Sequence, residues 1–284
     1  MKILDTHQHL IYPDRFQNPW CKDVPALAGK PFRLQEYRLA SQGTGITETL
    51  FMEVDVIESQ IRAETEFSLQ LAADATSGIV GVLGNCRPER EDFPAYLDSV
   101  LHPKLKGMRR ILHVMPDELS QTPRFASNVG LLAKHKLTFD LCLLARQLPI
   151  GAKLVRQLPA VQFILDHCGV PDIKAGALEP WREHIRELSK LPNLACKISG
   201  VVAYCDPQRV TTDAIRPYFD HCVECFGWER VMFGGDWPVC NITASLGRWV
   251  EIAKEIVDKE SVANQEKFFA KNAVRIYRLT SSPK

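Results

Sequence analysis

Apolar residues along this chain gather into eight short runs, and longer segments with helical spacing fall between them. The runs cover 2–10, 47–56, 78–86, 106–114, 137–144, 161–169, 193–201 and 230–238. Each is rich in β-branched or aromatic residues, or bounded by Gly, Pro or Asn, and most are apolar nearly throughout. That pattern predicts parallel strands buried on both faces. The segment 57–75 sets Ile57, Ile61, Phe67, Leu71 and Ala72 near one helical face. Further helices are predicted over 180–191, opened by Pro180, and over 243–258, capped by Asn241 or Thr243. A last one, over 260–279, carries Phe268, Phe269 and Ile276 on its apolar side.

Eight strands alternating with helices predict an α/β chain folded as one (β/α)8 (TIM) barrel domain over 1–284. A doubly wound open sheet is the competitor, but no Gly-rich phosphate turn follows the first strand. The segment 11–46 holds Pro13, Pro19, Trp20, Pro25 and Pro31 and has weak periodicity before Leu34. It is expected to be a long loop over the mouth of the barrel, where such loops wall an active site.

Composition narrows the partners. The net charge is +1 and no basic run stands out, which excludes a field suited to nucleic acid or an anionic membrane. No stretch is long and apolar enough to span a bilayer, and Asp5 follows "MKIL" directly, so no secretory leader is expected. Nine cysteines, an odd number, predict reduced thiols and a cytoplasmic location. The pair Cys222 and Cys225 falls in a helical pattern and reads as buried helix cysteines. Self-association into a homo-oligomer stays open.

Chemistry in a (β/α)8 barrel gathers at the C-terminal ends of its strands. The polar residues obey this placement: His7 and His9 end the first run, Glu53 and Asp55 the second, Asp166 and His167 the sixth, Lys197 and Ser199 the seventh, and Asp236 and Trp237 the eighth. Arg109, Arg110 and His113 lie on the fourth, and Arg146 and Gln147 follow the fifth. Side chains alternate along a strand, so His7 and His9 of "DTHQHL" share a face. Two imidazoles so placed hold one atom between them, or form a hydrogen-bonded structural pair. Arg109, Arg110 and Arg146 suit a polar substrate, as does Lys197. Trp237 and Trp20 are candidate walls for a substrate.

The motifs "DTHQHL", "ILDHCG" and "MFGGDWPV" resemble the amidohydrolase superfamily, in its amidohydrolase-2 branch. In order, "KGMRRILH", "TFDLCLLARQLP", "FILDHCGVPDI", "LPNLACKISG", "VMFGGDWPV" and "KNAVRIYRL" are similar to the sugar-lactone hydrolases across essentially the whole chain. The resemblance implies a lactonase that opens an aldonolactone such as L-fuconolactone to its acid. A metal-dependent decarboxylase, or another amidohydrolase-2 type hydrolase of a cyclic or aromatic carboxylate, is the alternative. It also implies that Asp236 is the general base and that His7, His9 and His167 surround the reaction centre. The chain departs from the superfamily's two-metal pattern, with neither lysine nor glutamate late in the fourth strand and no histidine in the fifth. Two options remain for the cofactor: no metal, or one zinc held by some of His7, His9, Glu53, His167 and Asp236.

Overall fold

The computed structural model describes residues 1–279. Eight parallel strands follow one another around a barrel in sequence order. They are β1 (Ile3–Gln8), β2 (Ile46–Met52), β3 (Ile79–Asn85), β4 (Leu105–Ile111), β5 (Thr138–Cys142), β6 (Gln162–Leu165), β7 (Leu194–Ser199) and β8 (Val231–Gly234). One helix follows each strand: α1 (Leu34–Ala40), α2 (Ile61–Ala73), α3 (Phe93–Val100), α4 (Pro123–Gly130), α5 (Leu148–Gln157), α6 (Trp181–Ser189), α7 (Thr212–Phe226) and α8 (Leu246–Val257). The fold is a (β/α)8 barrel. No helix among the described residues is long and apolar enough to cross a membrane.

Two packed layers hold it. Outward-facing strand residues pack on the helices, with Phe139 against Phe125 of α4 and Phe233 stacked on Trp249 of α8. Inside, Leu4, Leu50, Met52, Leu83, Ile164, Ala195 and Met232 form a separate apolar floor. Burying each such side chain contributes about 1.5–3 kcal/mol. The tail closes this floor from below. It is not the single helix expected over 260–279 but α9 (Val262–Glu266), a π turn (Lys267–Lys271) and α10 (Asn272–Ile276). The π turn buries Phe268 and Phe269, and Tyr277 then enters the barrel floor.

Several strands end earlier than their apolar runs. The sixth run extends to 169, yet β6 stops at Leu165 and Asp166–Gly169 form a 3-10 turn with His167 at φ 53° and Cys168 at φ 54°. The eighth extends to 238, yet β8 stops at Gly234 and Asp236 takes φ 56°. Left-handed backbone does not continue a strand, and non-glycine residues adopt it where the surroundings force them, often at functional sites. Helix α8 begins later than the caps Asn241 and Thr243 suggest; Ser245 is its N-cap, accepting from the Arg248 N–H. The buried face of α2 also differs from the one predicted. It carries Ile61, Glu64, Thr65, Ser68, Leu69 and Ala72, while Phe67 turns to Tyr12 and Phe16 of segment 11–46.

Candidate active site

The barrel closes where β1 meets the end of β8, and this closure builds the site. Asp236 N donates to His7 O (2.8 Å) and His9 N to Trp237 O (2.9 Å). Below them, the buried Asp5 carboxylate accepts from His7 N (2.9 Å), Gly235 N (2.6 Å) and the Tyr37 hydroxyl (2.7 Å). Asp5 thus ties both ends of the catalytic segment together and fastens them to α1. Burial raises its pKa, and these three hydrogen bonds oppose that shift.

Three imidazoles face the Asp236 carboxylate. His9 Nε2 and His7 Nε2 lie 3.3 and 3.7 Å from Oδ1, and His167 Nδ1 lies 3.8 Å from Oδ2. The His7 ring centroid stands 4.8 Å from that of His9 and 4.6 Å from that of His167. Asp236 is 1 % exposed, and neither carboxylate oxygen has a hydrogen-bond partner. Leaving such a group without a partner is costly, which marks Asp236 as a candidate for contact with a ligand. Gly200, at φ 62°, makes room for it; a Cβ there would overlap the carboxylate.

The neighbours fix how each ring is protonated. His9 Nδ1 lies 3.1 Å from the Met52 carbonyl, which can only accept, so Nδ1 carries a proton and Nε2 is the nitrogen turned to Asp236. His167 Nδ1 donates in the same way to Ser199 O (3.2 Å). Burial alone would lower His167, but Asp236 and Cys142 outweigh it and leave the ring above its ordinary pKa. Burial holds His7 well below the usual imidazole range; Asp166 opposes this and Lys197 adds to it. His7 is therefore neutral, with Arg109 Nη1 donating to its Nε2 (3.2 Å).

A second charged layer lies directly beneath. Lys197 is fully buried, 2.7 Å from Asp140 Oδ2 and 3.0 Å from Asp166 Oδ1. Its Nζ lies 3.4 Å from His7 Nδ1, and Tyr277 OH donates to Asp140 Oδ2 (2.8 Å). Arg109 bonds Glu53 through Nε–Oε1 (2.6 Å) and through Nη2 to the Glu53 carbonyl (2.8 Å). Burial pushes Asp140 up to about 6. For Asp166 burial is outweighed by Lys197 and His7, which leave its carboxyl well below the usual range.

The structure therefore gathers His7, His9, His167, Asp236 and Arg109 at one centre, with Lys197 below it. The other predicted residues lie elsewhere. Glu53 is engaged by Arg109 and lies outside the histidine cluster. Arg110 bonds Glu89 through two nitrogens (3.0 and 2.8 Å). Arg146 is 60 % exposed and pairs with Asp117 Oδ2 (2.6 Å), while Gln147 donates to Asp117 Oδ1. Trp237 packs edge-on against Phe32 and Tyr37 and anchors segment 11–46. Trp20, half-buried, donates to Val54 O (2.9 Å). Residues not singled out from sequence also reach the centre. Tyr204 sets its ring edge against His167, and Cys142 lies 3.0 Å from His113 Nδ1. Asp5 sat in plain view in "DTHQHL", and an acid two residues before a strand-end histidine was the signal available.

His7, His9 and Asp236 bring their donor atoms within 4.8 Å of one another, as do His7, Asp166 and His167. The first set suits one zinc: His9 Nε2 and both unpartnered Asp236 oxygens face the same space. In the second set Asp166 already pairs with Lys197 (3.0 Å), which competes with a metal for that carboxylate.

The sequence model of the family described as "Amidohydrolase" matches residues 4–279. The chain belongs to the amidohydrolase family. It is 30% identical to an L-fucono-1,5-lactonase of Burkholderia multivorans over 97% of this chain and 96% of that one. It is 26% identical to an L-fucono-1,5-lactonase of Burkholderia ambifaria, covering 97% and 95%. A crystal structure of a B. multivorans amidohydrolase with bound zinc superposes with a TM-score of 0.89 at 26% identity, covering 99% of this chain and all of that one.

Proposed function

We propose that this amidohydrolase hydrolyses a sugar lactone, L-fuconolactone or a related aldonolactone, to the aldonic acid. The carrying observation is the Asp236 carboxylate, buried and unpartnered among three imidazoles. A carboxylate so placed takes a proton from a water set against the lactone carbonyl and returns it to the ring oxygen as the ester opens. His167, held above its ordinary pKa, donates to the developing oxyanion, and Arg109 adds positive charge nearby. Lys197 and Asp166 hold the His7 ring from below. One zinc on His7, His9 and Asp236 would supply Lewis-acid polarisation when bound. The likeness to L-fucono-1,5-lactonases supports the sugar-lactone substrate. Tyr204, edge-on to His167, is the proposed wall for its ring. Arg110 and Arg146, paired outside the centre, are weaker contacts for the substrate than Arg109. Nine unpaired cysteines support a cytoplasmic location.

The test is acid release from a panel of 1,4- and 1,5-aldonolactones, read with a pH indicator before and after chelation, with metal analysis of the purified protein. Turnover of at least one sugar lactone is expected. No turnover of any of them, or CO₂ release from an aromatic acid instead, would overturn the reading.

A further inference from the structure

Three cysteines converge behind the catalytic centre. Cys168 lies in the left-handed turn after β6, Cys196 on the outer side of β7 and Cys222 on the face of α7 that meets the barrel. All three are 0 % exposed, and their sulfurs lie within 4.8 Å of one another. They come from three separate elements, and among the described residues no further histidine, cysteine or carboxylate joins the group. Cys225, one turn along α7, turns instead to His221, with Sγ 3.4 Å from Nε2.

Charge decides what such a group would hold. Soft thiolates select soft, thiophilic cations. A divalent ion on three thiolates leaves a net negative charge in a dry, closed space and lacks a fourth donor, and burying an uncompensated charge is costly. A trivalent thiophile with three thiolates is neutral and needs only three ligands. We propose that Cys168, Cys196 and Cys222 form a capture site for trivalent arsenic. The reaction balances without redox change: arsenous acid, As(OH)3, loses three As–O bonds, gains three As–S bonds, and releases three waters made from its hydroxyls and the thiol protons. Capture draws together residues that directly neighbour His167 and Lys197, so an occupied site disturbs the catalytic centre. That last consequence rests on the function proposed above; capture does not.

The test is native mass spectrometry of the folded protein after incubation with sodium arsenite and removal of the excess. One arsenic replacing three hydrogens is expected in the wild type and in Cys225→Ser. Occupancy at least tenfold lower is expected in Cys222→Ala and in Cys196→Ala, each first shown to be folded by circular dichroism. No adduct on the folded wild type, an adduct retained in both alanine variants, or one lost in Cys225→Ser would overturn capture, as would zinc ions occupying the triad as tightly as arsenite. A fully loaded wild type that hydrolyses its lactone at the unloaded rate would overturn the coupling alone. If no lactone is turned over, the mass shift still decides capture.

Discussion

Two charged layers are stacked inside one barrel, and they differ in how their charges are answered. In the lower layer Lys197 has Asp140 and Asp166, and Asp140 also has Tyr277. In the upper layer Asp236 has three rings around it and, among the described residues, no hydrogen bond and no lysine or arginine in ion-pair contact; Asp166 below also lacks a hydrogen bond, but the Lys197 ammonium lies 3.0 Å from its Oδ1. Both layers are almost wholly removed from solvent, so burial does not separate structural charge from chemical charge. Partnership does. A buried charge with its partners in place holds the barrel together, and a buried charge without them is kept for a substrate or an ion.

Breaking the lower layer should cost most. Lys197→Met leaves Asp140 and Asp166 facing each other unscreened, and about 3–5 kcal/mol of stability should go. Urea denaturation at neutral pH measures it, and a loss under 1 kcal/mol would make Lys197 a poor structural partner. The same layer should show in the pH dependence. The Asp166 pKa in the folded chain is well below its ordinary 3.8, so the unfolded chain binds more protons in acid. The stability Asp166 contributes is therefore complete above that value and lost as pH falls through the folded pKa. Asp166→Asn should flatten the acid limb of stability measured between pH 5 and pH 3; an unchanged slope would contradict the pairing. Tyr37→Phe removes one hydrogen bond to the buried Asp5 and should cost about 1–3 kcal/mol, since the carboxylate loses a partner it cannot replace with water. Arg146→Ala, at an exposed pair, should change stability by less than about 0.5 kcal/mol and leave lactone turnover intact. A large loss of turnover there would move the substrate towards Asp117.

The barrel was legible in the alternation of apolar runs, and the strand-end rule located His7, His9, His167 and Asp236. What alternation also held, and was not drawn out, was parity: Arg109 and Arg110 are neighbours on β4, and only Arg109 points to the centre. The early strand ends were hidden, because left-handed backbone at His167 and Asp236 comes from tertiary packing and leaves no mark in hydrophobicity. Asp140 stood out as an acid inside the fifth apolar run, but its partners did not, since Lys197 and Tyr277 lie 57 and 137 residues away in sequence. Arg146, just past the β5 run, looked like Arg109 on paper and differs from it only in facing solvent beside Asp117.

The most direct measurement is kcat/KM of wild type and Asp236→Asn on the best lactone of the panel, with the melting temperature of each. The account predicts a fall of about 10²–10⁴-fold with stability unchanged or raised, because the carboxylate removed was paired with nothing. Undiminished activity, or a loss of activity explained by unfolding, would contradict it.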